Sequence, residues 1–227
     1  MDLILALDVD NRADAQRLAA QTADSVDLVK VGLELFTREG PQLVRALRQD
    51  GHRIMLDLKL HDIPNTVAQA VRSCCGLGVE LLTLHAGGGP AMIEAAVRAE
   101  EAEGNGVKLL PVTVLTSMNA EQLQAIGVAR SPESQVQLLA RMALQAGAPG
   151  LVCSPMEVET LRQQHGTQPH LVTPGVRPAG SATDDQQRIA TPAAAKIWGA
   201  SAIVVGRPIR MAEDPAAAAR NIKDACR

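Results

Sequence analysis

The sequence predicts an α/β protein built as a single (β/α)8 barrel, a TIM barrel, over residues 1–227. Two observations carry this. Eight short apolar runs alternate with amphipathic stretches from end to end, and repeated βα units imply a parallel sheet. The runs are also apolar throughout rather than alternating, as strands covered on both faces must be. An open doubly wound sheet fits less well, because no G-x-G-x-x-G follows the first strand and no shift in composition divides the chain.

The elements follow in order. "LILALDV" (3–9) reads as a strand, and residues 12–23 have helical period with Asn11 placed as N-cap. A strand over 27–33 and a helix over 40–50 come next. "RIMLDLK" (53–59) is the third strand, and its helix (64–78) has Pro64 at its start and glycines at its end. Strand 79–86 precedes helix 90–104. Strand 107–115 contains Pro111, which lacks a backbone donor, so a bulge or a late strand start is expected there. A bipartite helical region covers about 119–147. Strand 150–154 with helix 155–165, strand 170–175 with a polar loop and helix 191–198, and strand 202–207 with helix 214–226 complete the eight units.

Composition excludes several functions. The net charge is −3, which argues against a general electrostatic partner such as nucleic acid or an anionic membrane. Phe36 and Trp198 are the only aromatic rings besides histidine, too few for a surface that stacks bases. No apolar run approaches the ~20 residues of a membrane span. The N-terminus "MDLILALDVD" has no basic segment and meets Asp8 too early for a signal peptide. The four cysteines have no zinc-finger spacing, and adjacent Cys74 and Cys75 are poorly placed for a mutual disulfide. A reducing cytoplasm is expected.

Barrel enzymes carry their chemistry at the C-terminal ends of the strands. Asp8, Lys30, Asp57, Lys59, His85, Thr116 and Ser117 all fall there, as do "TPGVRP" after strand seven and "VVGRP" after strand eight. Asp57 and Lys59, two apart on a strand, share a face. With Lys30 from the neighbouring strand and Asp62 just beyond, they predict a Lys-Asp-Lys-Asp charge array. Such an array holds each ammonium charged and suits a lysine general acid, or else closes the barrel top as a structural ion-pair network. Arg177 and Arg207 lie on the two loops where barrels often take phosphate. Asp8 suits either sugar hydroxyls or a helix cap. His61 and His85 fit structural as well as chemical roles, and Gln186 is an ordinary loop residue on these grounds.

These motifs also carry a family likeness. "LDLKLHDIPNT" (56–66), "VKVGLELF" (29–36), "HAGGG" (85–89), "VTVLTSM" (112–118), "VTPGVRP" (172–178), "DQQRIATP" (185–192) and "VVGRP" (204–208) together resemble the orotidine 5′-phosphate decarboxylase family in its compact bacterial form. The resemblance implies conversion of orotidine 5′-monophosphate (OMP) to UMP, the last step of de novo UMP synthesis, with no cofactor and no metal. It implies that Lys59 protonates C6, that Asp57 faces the substrate carboxylate, and that Lys30 contacts ribose. It implies a homodimer in which Asp62, Ile63 and Thr66 reach the partner's site. Asp8 matches a ribose ligand and Thr116 a neighbour of the pyrimidine, while Arg177, Gln186, Gly206 and Arg207 match phosphate contacts.

Relatives on the same barrel with an Asp-x-Lys-x-x-Asp motif, the sugar-phosphate decarboxylases and hexulose-phosphate synthases, use Mg2+ and carry a carboxylate where this chain has Lys30. They lack the Pro-Asn-Thr run of residues 64–66. A non-catalytic nucleotide-binding barrel would leave the charge array unexplained.

Overall fold

The computed structural model describes residues 1–177 and 190–226. Eight parallel strands close into a barrel in chain order: β1 Asp2–Ala6, β2 Leu28–Gly32, β3 Ile54–Leu60, β4 Leu81–His85, β5 Lys108–Val112, β6 Gly150–Val152, β7 His170–Thr173 and β8 Ala202–Val205. β1 pairs with both β2 and β8, which leaves no sheet edge. The expected TIM barrel is the fold found. Around it run α1 Arg12–Thr22, α2 Leu33–Gln49, α3 Pro64–Cys75, α4 Gly89–Glu103, α5 Ala120–Ala125, α6 Pro132–Gln145, α7 Val158–His165, α8 Pro192–Ile197, α9 Arg207–Arg210 and α10 Pro215–Ala225.

Helix starts obey local chemistry. Asn11 accepts the Asp14 N–H to cap α1, and Asn119 with Gln122 forms a reciprocal capping box on α5. The first residue of α3, α6, α8 and α10 is proline, where its missing donor costs nothing.

Two local readings change. The second helix begins at Leu33, not near residue 40, and kinks where Gly40 takes φ 63° and Pro41 follows. Pro111 lies in a regular strand, paired with Leu84 without a bulge. In a parallel strand, alternate residues direct their backbone groups to opposite neighbours. Lys108 N donates to Glu80 O on the β4 side, and Thr113 N donates to Val152 O on the β6 side. Pro111 therefore turns its nitrogen towards β6, which is in register with β5 only at Val112. The missing donor falls on the seam that has least to lose.

The core has two parts. A large aliphatic shell fills the space between sheet and helices, and a smaller plug including Ile4, Met55, Leu110 and Val172 fills the barrel. Along three adjacent strands the inward series changes chemistry two residues on: Leu28 gives way to Lys30, Met55 to Asp57 and Leu81 to Thr83. The plug thus ends where a polar mouth begins.

At the opposite end, Arg162 ties together the segments that lead into β7 and β8. Its Nε donates to Gly199 O at 2.8 Å, Nη1 to Gly166 O at 3.2 Å and Pro169 O at 2.8 Å, and Nη2 to Ser201 Oγ at 2.9 Å. Gly166 caps the C-terminus of α7, and Gly199 lies two residues past α8. A cation there complements both helix dipoles.

Candidate active site

The third strand sets the geometry. β3 starts regularly, with Gly32 opposite Asp57 and Leu56 opposite Leu82. Then Leu60 pairs with Leu84, so the four steps from Leu56 to Leu60 match two steps of β4. Bulges of this kind re-aim side chains. Lys59 sits in this one with φ 49°, the only non-glycine residue with positive φ among the described residues. That backbone costs a side-chain-bearing residue roughly 1–2 kcal/mol. Strict alternation thus explains why Asp57 points inward, but Lys59 reaches the same space through a left-handed turn.

Thr83 holds that turn. Its Oγ1 accepts the Lys59 backbone N–H at 2.9 Å and donates to Asp57 Oδ1 at 2.8 Å. Lys59 Nζ lies 2.8 and 3.0 Å from the two Asp57 oxygens. On the other side, Lys30 Nζ lies 3.7 Å from Asp57 Oδ2 and 3.0 Å from Asp8 Oδ1. The array in this chain runs Asp8, Lys30, Asp57, Lys59, with two charges of each sign. Burial pushes the Asp57 carboxyl upward. The Lys30 and Lys59 ammoniums, with the hydrogen bonds from Lys59 and Thr83, outweigh it and leave the group below its ordinary value.

Asp8 is not a helix cap, because Asn11 fills that position. Asp62 stands outside the array. It is exposed and accepts the N–H of Ile63 at 2.6 Å. Residues 61–66 are exposed throughout, and Ile63 keeps 66% of its surface.

A cavity of about 250 Å³ opens over these groups, lined by Lys30, Asp57, Lys59, Thr116 and Pro174 among others, with an apolar wall that includes Val112 and Val204. Arg177 follows β7, and its N–H donates to Ala190 O at 2.9 Å. Gly206 and Arg207 follow β8, with Gly206 as N-cap of α9. Both arginines therefore stand at the end of the barrel that carries the array. Gln186 lies outside the described residues.

Two contributors were missed in the sequence. Thr83 is a lone hydroxyl in the run "ELLTLH", and that is the signal that could have found it. Gly32 lies within the strand expected over 27–33, and nothing in the run marks it. A Cβ there would stand 2.9 Å from Lys30 Nζ and 3.6 Å from Asp8 Oδ1, so glycine leaves room for the ammonium. All four cysteines are buried thiols outside any disulfide, and burial pushes the Cys74 thiol up to about 11.

Comparison with known proteins gives a consistent result. Residues 1–222 match the model of the orotidine 5′-phosphate decarboxylase / HUMPS family. A protein of Anaeromyxobacter sp. (strain K) named orotidine 5′-phosphate decarboxylase is 56% identical over 217 residues, covering 96% of this chain and 94% of the relative. One of that name from Opitutus terrae is 48% identical over 97% of this chain and 96% of the relative. The crystal structure of orotidine 5′-phosphate decarboxylase from Lactobacillus acidophilus superposes with a TM-score of 0.87 at 42% identity, covering 99% of this chain and 98% of that one.

Proposed function

This chain belongs to the orotidine 5′-phosphate decarboxylase / HUMPS family, and we propose that it decarboxylates OMP to UMP, the last step of de novo UMP synthesis, without cofactor or metal. The observation that carries the reading is the Asp57 carboxylate between two ammoniums at the floor of the cavity.

Loss of CO2 from C6 leaves electron density on a carbon with no internal sink. A fixed ammonium beside that carbon stabilises the charge as it forms, and because its environment is already arranged it costs little reorganisation. Lys59 fills this role and then delivers a proton to C6. Asp57 orients Lys59 through both carboxylate oxygens and faces the departing carboxylate. Lys30 and Asp8 take the ribose hydroxyls, and Thr116 meets the pyrimidine. Arg177, Gln186, Gly206 and Arg207 take the phosphate, whose binding energy is remote from the bond that breaks and serves the chemical step.

Asp62, Ile63 and Thr66 serve the site of a second copy. An exposed isoleucine beside an exposed aspartate supports that reading, since an apolar side chain held in water beside an acid suits an interface. Residues 1–227 then act as one barrel domain within a homodimer. Free buried thiols support a cytoplasmic setting, and no helix among the described residues is long and apolar enough to cross a membrane.

The Mg2+-dependent reading is disfavoured by charge. The Lys30 ammonium, 3.7 Å from Asp57 where those relatives carry a carboxylate, would repel a divalent cation there. The deciding experiment follows OMP absorbance on adding purified protein with EDTA present. Conversion to UMP at a rate unaffected by the chelator supports the proposal. No conversion, or conversion only with added Mg2+, would overturn it.

A further inference from the structure

Two imidazoles lie face to face at the rim between β3 and β4. The rings of His61 and His85 have centroids 5.1 Å apart and planes 13° from parallel. His61 is two residues past Lys59, and His85 is the last residue of β4. His85 Nδ1 accepts the Gly87 N–H at 3.0 Å. An imidazole nitrogen that accepts carries no proton, so this ring is neutral with its hydrogen on Nε2.

The backbone beneath is shaped for the rings. A Cβ at Gly87 would stand 3.0 Å from His85 Nδ1 and 3.7 Å from His61 Cε1, whereas one at Gly88 would first meet Met92 at its Sδ, with His61 Cδ2 next at 3.3 Å. Glycine at position 87 lets the His85 ring lie close to the chain, and glycine at position 88 chiefly makes room for Met92. Lys59, meanwhile, holds an unfavourable left-handed conformation, which persists only where its surroundings fix it. Thr83 fixes it from one side. The Leu60–Leu84 pairing and the His61 stack fix the two residues after it.

We propose that His61 and His85 are positioning residues for Lys59: the stacked rings pin the catalytic turn of β3 to the end of β4, and proton uptake at His85 Nδ1 releases it. Protonation removes the acceptor for Gly87 and places a cation against His61 and Lys59. The titratable groups that act on His85 are His61 and Lys59, both from the end of β3, and no carboxylate is among them. Burial first, then these two groups, hold His85 below its ordinary value, so the pin survives at neutral pH and fails on the acid side.

This rests on the decarboxylase reading. The test is kcat with saturating OMP from pH 5 to 8.5 in wild type, His85→Asn, His61→Ala and His61→Phe, each checked for a cooperative thermal transition. An asparagine oxygen still accepts from Gly87 but takes up no proton. The acid limb of kcat should therefore move down by one pH unit or more, relative to the plateau of that variant. His61→Ala should lose tenfold or more in kcat with KM changed less than threefold, and the flat ring of His61→Phe should recover most of that loss. An acid limb unmoved in His85→Asn, or a His61→Ala kcat equal to wild type, overturns the device while leaving the decarboxylase reading intact. Absence of OMP turnover in the wild type would remove both. If His85→Asn does not fold, the two His61 variants decide.

Discussion

Thr83 donates its hydroxyl hydrogen to Asp57 across the β3–β4 seam at 2.8 Å. The same oxygen receives the Lys59 amide, so one buried hydroxyl fixes both the carboxylate and the backbone of the lysine beside it. Thr83→Val keeps the shape and removes both bonds. It should lower kcat for OMP by about 10–100-fold with a smaller change in KM, because positioning is lost while most ground-state contacts remain. Unchanged steady-state kinetics would mean that the bulge holds itself.

Asp62 and Lys59 do not meet within one chain, and their proposed cooperation across a dimer can be tested by mixing. Asp62→Asn and Lys59→Ala subunits should each be nearly inactive alone. Co-expressed in equal amounts, they should recover about a quarter of wild-type activity, since half the dimers are mixed and each of those has one intact site of two. No recovery in a preparation shown to contain heterodimer would count against a shared site.

Arg162 ties two helix ends to the base of the barrel, far in function from the cavity. Arg162→Met retains the aliphatic stem and loses four hydrogen bonds from a charged donor. Destabilisation of about 2 kcal/mol is expected, a fall in melting temperature of roughly 4–8 °C. Calorimetry checks this, and a shift under 1 °C would show that water replaces the guanidinium at no cost.

Stability should fall on the acid side in two stages. Burial is the first cause holding His52, His85, His165 and His170 below their ordinary value. The unfolded chain therefore binds more protons than the folded one below about pH 6.5, so stability present above that pH is lost as pH falls through the folded values. Asp57, also depressed, contributes stability above about pH 4 that is lost as pH falls through its folded value. Urea midpoints at pH 7.5, 6.5 and 5.5 should decline, most between the last two. A constant midpoint would contradict the assignment.

The barrel was legible because parallel strands buried on both faces leave an unmistakable apolar run, and eight of them recur. Asp57, Lys30 and Thr116 were legible for a related reason: polar groups at the ends of such runs stand out. The hidden part was conformational. Lys59 carries nothing in its type that marks a left-handed residue, and the bulge around it exists because Thr83, 24 residues on, offers an acceptor for its amide. Pro111 misled for the opposite reason. It suggested irregularity, yet its neighbour β6 is so short that the missing donor is scarcely felt. The place of Asp8 at the end of the array depended on a tertiary meeting with Lys30 that no spacing announces.

In the proposed reaction the Lys59 ammonium, held by Asp57, carries the decarboxylation of OMP. The direct measurement is single-turnover conversion of OMP to UMP by purified wild-type and Lys59→Ala protein at saturating enzyme, with EDTA present. Rapid conversion by the wild type and a rate at least about 10⁴-fold lower in the variant are predicted, the combined loss of charge stabilisation and proton delivery. Conversion by Lys59→Ala within tenfold of wild type would contradict it.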